Sequence, residues 1–148
     1  MKKVKRSERL TIVRELAERE LDEQAEQFRK AQDFYAKELT KLDDLRLYRD
    51  GYRKDANNQI GLSSVDQIAR ERQFLCQINE AVEQQKKLVE QYEKVVEQKK
   101  SVWQTAHLKH RALAELIDRI AKNEDQALGK AEQKLLDEWF TQSSSHRV

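Results

Sequence analysis

Apolar residues recur every three or four positions along almost the whole chain, and only one short stretch, around Gly51 to Ser64, breaks the pattern. Gaps of three and four are the helical period, whereas a strand alternates every two. The runs on either side are unequal, about forty residues before the break and nearer eighty after it, far beyond the ~10–14 residues of an ordinary globular helix. If such a chain folds back on itself, the longer arm overhangs. An overhang that still carries an apolar stripe needs another molecule to cover it. The pattern therefore points to an interaction protein rather than an enzyme.

Composition agrees with that reading. The 148 residues include no proline and three glycines, and charged and hydrophobic residues each make up 38%. This suits a thin rod in which each helix buries a narrow stripe and turns the rest to water. The net charge of +2 says little, but local bias says more. Lys2, Lys3, Lys5, Arg6 and Arg9 stand against Glu8 alone, and an acidic stretch from Glu15 to Glu26 follows. We read the basic start as a solvated end. The single cysteine, Cys76, allows no intrachain disulfide and fits a reducing compartment; its place in a helical run makes it a small, partly buried packing residue. No stretch approaches the ~18 apolar residues of a membrane span, and the basic start lacks the apolar core of a secretory signal. The expected location is the cytoplasm.

The first run reads Val13, Ala17, Leu21, Ala25, Phe28, Ala31, Tyr35, Leu39, Leu42, Leu45, Tyr48 and Tyr52. Gly51 lies where a helix can finish in a left-handed turn. The connection gathers Asn57, Asn58 and Gly61, and Ser64 with Gln67 forms a capping-box signature for the second helix, with Ser63 and Asp66 a second possible start one residue earlier. Ile60 and Leu62 are placed to fold over the tip. The second run holds a heptad register: Leu75, Val82, Val89, Val96, Trp103, His110, Ile117, Glu124 and Ala131 on one seam, and Ile78, Gln85, Tyr92, Lys99, Ala106, Leu113, Ile120 and Ala127 on the other. Gln85, Lys99, His110 and Glu124 interrupt it; polar seam residues weaken a coiled coil but fix its register. Gly129 marks a bend or a close contact. The expected fold is all-α, a long antiparallel two-helix coiled coil in one domain, 1–148. Helix one covers about 8–54, the tip loop about 55–63, the longer helix two about 64–141, and a disordered tail 142–148.

Matching the seams pairs Leu21 with Val96, Phe28 with Val89, Tyr35 with Val82 and Leu42 with Leu75, and sets the acidic stretch opposite Lys94, Lys99 and Lys100. Leu10 then faces His107, leaving roughly 50 Å of helix two unpaired at 1.5 Å per residue. The alternative is that residues 1–9 extend the pairing and the last stretch frays.

The search for chemistry finds no glycine-rich phosphate loop, nucleophile elbow or cysteine pair. His107 and His110 form an H-x-x-H without a third ligand, so no metal site, catalytic residue or cofactor is assigned. Acidic residues nearly balance basic ones and the aromatics sit at seam spacing, which argues against nucleic acid as a partner. A nucleic-acid-binding arm remains the alternative of a different class, and a free-standing homodimer joined through residues 108–140 is a third. Phe74, Ile78, Ala81 and Gln85 make a second stripe beside the core stripe, a candidate partner anchor.

Tyr48 and Tyr52, Gly61, Gln73-Phe74-Leu75 with Ile78, Ala81 and Val82, then Trp103 and the ending Glu132-Gln-Lys-Leu-Leu-Asp-Glu138 resemble, in order and spacing, the flagellar FliJ protein family. The resemblance covers about residues 8–141. It implies a non-enzymatic component of the flagellar type III export apparatus, an antiparallel coiled coil similar to the rotor stalk of rotary ATP synthases, on the cytoplasmic side of the membrane at the flagellar base. The implied partners are the hexameric export ATPase, the cytoplasmic domain of the export gate and the export chaperones. Carried over by position, the gate contact is Phe74, Ile78, Ala81 and Gln85. The ATPase-facing end is helix two beyond about Leu113, through Leu113, Ile117, Ile120, Leu128, Leu135 and Trp139, together with the start of helix one. The equivalent stalk of an injectisome shares the architecture.

Overall fold

The computed structural model describes residues 5–58 and 64–145. Helix α1 spans Arg6–Asn58 and helix α2 spans Val65–Ser145, 53 and 81 residues respectively. They pack against each other antiparallel, the second longer than the first, and no strand occurs among the described residues. The uninterrupted spacing of apolar residues, with no proline, explains why neither helix breaks.

The start of α2 follows its cap signature. Ser64 Oγ accepts a hydrogen bond from the Gln67 N–H at 3.3 Å, and the Ser64 carbonyl accepts the first helical bond from Ile68 at 3.0 Å. The end of α1 differs from expectation. The helix runs straight through Gly51 to Asn58, and a Cβ at Gly51 would meet nothing within 4 Å. One glycine costs a long helix about 1 kcal/mol, too little to stop it while apolar residues such as Tyr52 and Ala56 keep burying on the same stripe. At the other end α2 stays helical to Ser145, where a tail without structure was expected from 142. Ile60, Gly61 and Leu62 lie outside the described residues.

The chain divides into two compact units, Gln24–Trp103, and Met1–Glu23 with Gln104–Val148. In the first, the core is Leu42, Ile78, Val82 and Val89, with Tyr35, Leu39, Leu45, Tyr52 and Phe74 packed against it. Its aromatic contacts cross between the helices: Phe28 stacks on Trp103 at 5.8 Å, Phe34 on Tyr92 at 6.2 Å, and Tyr52 meets Phe74 at 4.8 Å. In the second unit Ala17, Ala106 and Ile117 are the buried apolar residues, joined by Ser7.

The expected register is corrected by these contacts. Phe28 was matched to Val89 and instead stacks on Trp103; Leu10 was matched to His107, whereas Ser7 bonds Glu124. Part of the cause is the turn. With α1 extended to Asn58, the connection is centred about three residues later than the turn formers suggest, and in a hairpin that moves every facing pair by about twice as much. The consequence is a shorter overhang: some 20 residues, 125 to 145, or roughly 30 Å, in place of 50 Å. The acidic stretch reaches across the helices through Glu20, which pairs with Lys109 at 3.7 Å.

Candidate functional site

Two places combine unusual side chains with exposed apolar surface, one in each unit. In the Gln24–Trp103 unit the key residue is Gln85. An amide in the seam must find partners, because a buried polar group without a hydrogen bond is costly. Gln85 Nε2 donates to the Glu38 carbonyl at 2.9 Å and to Glu38 Oε2 at 2.6 Å, and Lys41 Nζ donates to Glu38 Oε1 at 3.1 Å. The Gln85 bond first, and the Lys41 bond second, hold the Glu38 carboxyl below its usual value. Beside this knot runs an open groove lined by Lys41, Asp44, Leu45, Tyr48 and Gln85. Tyr48 is 58% exposed and meets Phe74 edge-on at 6.4 Å.

The four residues of the expected stripe differ in burial. Ile78 is a core residue, 6% exposed. Phe74 is half-buried under Tyr48 and Tyr52, Ala81 is half-buried, and Gln85 lines the groove. Of the groove's α1 residues, Leu45 and Tyr48 belong to the expected apolar run, whereas Lys41 and Asp44 carry no signal in the sequence pattern. The signal available was Gln85 itself, whose polarity in a seam requires a partner across it. Cys76, expected to be partly buried, is exposed.

In the other unit Glu124 performs the corresponding task. Ser7 Oγ donates to Glu124 Oε2 at 2.6 Å, and the Ser7 N–H donates to Glu124 Oε1 at 3.2 Å. A carboxylate from α2 thus caps the first turn of α1, satisfying a backbone N–H that has no partner within its own helix. The Ser7 hydroxyl bond dominates in lowering the Glu124 carboxyl from its ordinary value; partial burial opposes it, and the Ser7 N–H, the Lys5 charge and the Arg6 N–H reinforce it. Every residue from Asp125 to Gln142 is exposed. Leu128, Leu135, Leu136, Trp139 and Phe140 are between 52% and 65% exposed, and Trp139 and Phe140 meet edge-to-face at 5.4 Å.

The six residues carried over for the ATPase contact divide at Glu124. Leu113, Ile117 and Ile120 are buried or half-buried on the hairpin seam; Leu128, Leu135 and Trp139 are exposed. His110 lies on the same seam, its Nε2 buried without a hydrogen-bond partner, and no group of three or more metal-ligating side chains occurs among the described residues. A Cβ at Gly129 meets nothing within 4 Å, so no contact within the described chain accounts for that glycine.

The family model of the flagellar FliJ protein matches residues 6–148. The chain belongs to the flagellar FliJ protein family. It is accordingly a component of flagellar type III export, in a family of non-catalytic members. No curated protein and no solved structure matches the chain. No helix among the described residues is long and apolar enough to cross a membrane.

Proposed function

We propose that this FliJ-family chain is a non-enzymatic stalk and adaptor of the export apparatus, which helps couple ATP hydrolysis to substrate export. The observation that carries the proposal is the exposed end of α2, which continues helical past the last cross-helix bond with Leu128, Leu135 and Trp139 turned to solvent. A lone helix of that composition is marginal in water, so a partner that covers it gains both packing and helix formation. That partner is the hexameric export ATPase. Inserted in a ring, an asymmetric helix pair favours one ring conformation over another through unequal contacts, which is how a rigid body biases an equilibrium.

The export gate's cytoplasmic domain docks on the groove around Gln85, Tyr48 and Phe74, with Ile78 and Ala81 supporting it from the seam. Export chaperones are further partners. The assembly places the chain on the cytoplasmic face of the membrane at the flagellar base. Service to an injectisome in place of a flagellum is the same reading on a second apparatus.

Two substitutions separate the surfaces. Trp139→Asp abolishes capture by the purified export ATPase and spares the gate domain; Tyr48→Asp does the reverse, and both variants keep wild-type helicity. If both partners still bind both variants, or both are lost together, the assignment of surfaces is wrong.

A further inference from the structure

We propose that the first turns of α1, residues 6–20, are a detachable strap latched by Glu124, and that its release extends the apolar stripe of α2 toward Leu113. Along α2 the residues Leu113, Ile117, Ile120, Glu124, Leu128 and Leu135 fall on one stripe at gaps of three, four and seven. The strap covers the first three and leaves Leu128 and Leu135 open. Glu124 sits at the boundary, and its two bonds to Ser7 are the outermost cross-helix bonds among the described residues.

The strap is held thinly. Three of its four large apolar residues are exposed: Ile12 is 64%, Leu16 59% and Val13 43% exposed. The buried apolar residue of the strap is Ala17, the smallest of the set, with Leu10 half-buried. A further tie across this unit, Glu20 to Lys109, joins two solvated side chains at 3.7 Å and holds weakly. Beneath the strap region His110 keeps Nε2 buried without a partner, a cost that water removes when the seam opens. A segment with little buried apolar area, clasped at its end through Ser7 and Glu124, is drawn from the low-stability end of a fold.

Opening exchanges a short exposed patch for a longer continuous one. It also frees Ile12, Val13 and Leu16 on a segment that is no longer committed to α2. The inference goes beyond the docking of the α2 end and needs no partner to be tested.

Hydrogen exchange by mass spectrometry on the full chain reads the strap directly. In Ser7→Ala and in Glu124→Gln, amides of residues 8–20 exchange about tenfold faster, the scale set by losing a hydrogen bond to a charged group. Amides of 35–50 and 78–92 keep their rates. His110→Leu acts in the opposite sense and slows exchange over 8–20. With Cys76 replaced by Ser, a thiol placed by Ile117→Cys reacts faster when Ser7→Ala is added. Unchanged exchange over 8–20 in both clasp variants, an equal rise over 35–50, faster exchange in His110→Leu, or an Ile117→Cys thiol indifferent to Ser7 each overturns the strap. None of these results depends on whether the ATPase binds Leu128, Leu135 and Trp139.

Discussion

Leu42 and Leu47 are the same residue type five positions apart on α1, and the fold treats them oppositely. Leu42 is 3% exposed in the core with Ile78, Val82 and Val89; Leu47 is 71% exposed. Truncating a buried leucine to alanine removes its transfer free energy and leaves a cavity, about 2–5 kcal/mol in total. None of the described side chains is fully enclosed in this two-helix layer, so neighbours such as Leu39 and Leu45 relax into the space, and we place Leu42→Ala near the low end, about 2–3 kcal/mol. Leu47→Ala lies within about 0.5 kcal/mol of wild type, since exposed helix positions respond mainly to propensity, which favours alanine. For a chain of this size each kcal/mol shifts the thermal midpoint by about 2–4 °C. Melts followed by circular dichroism at equal protein concentration then separate the two variants by roughly 5–10 °C. Indistinguishable midpoints refute the assignment of the buried face, because no other property distinguishes these two leucines.

Both seam carboxylates give the fold an acid sensitivity. Glu38 and Glu124 are held below the ordinary value of 4.5 by bonds that favour their charged forms. Their contribution is therefore complete above about pH 4.5 and is lost as pH falls through the lowered values; an acid titration of stability flattens over that range in Glu124→Gln. Gly51→Ala, with open space at the new Cβ, raises stability by about 0.5–1 kcal/mol in denaturant melts, and a loss of stability refutes the open surroundings. Gly129→Ala increases helicity by circular dichroism without moving the hairpin's unfolding transition. A double-mutant cycle on Glu20 and Lys109 returns no more than about 1 kcal/mol of coupling, and less in high salt.

The fold was legible because one signal repeats over many turns. Gaps of three and four from Val13 to Tyr52, and the heptads from Leu75 to Ile117, report the same period again and again, and Ser64 with Gln67 marks where the second helix begins. Register was not legible for a related reason. Sliding one heptad stripe along another by seven residues keeps nearly every apolar residue opposite an apolar residue, so Phe28 fits against Val89 on paper as well as against Trp103 in the fold. The residues that break the degeneracy have partners no seam pattern reveals. Gln85 bonds a carbonyl and a carboxylate on Glu38, and Glu124 bonds a serine at the very start of α1. The stripe of Phe74, Ile78, Ala81 and Gln85 runs along the edge of the seam, so Ile78 is spent on the core while Phe74, Ala81 and Gln85 stay half-buried.

Those two polar residues bind register to surface. Gln85 draws Glu38 to the seam at the place where Lys41, Asp44, Leu45 and Tyr48 open a groove. Glu124 draws Ser7 to the place where pairing stops and the exposed end of α2 begins. A slip by one heptad would leave the apolar packing largely intact, yet it would orphan both knots, dismantle the groove and change the free length of α2 by two turns. An apolar residue in place of either would strengthen the seam while removing what fixes the register. Polar residues in this seam are thus best understood as the features that decide which part of each helix is covered and which part is left for a partner.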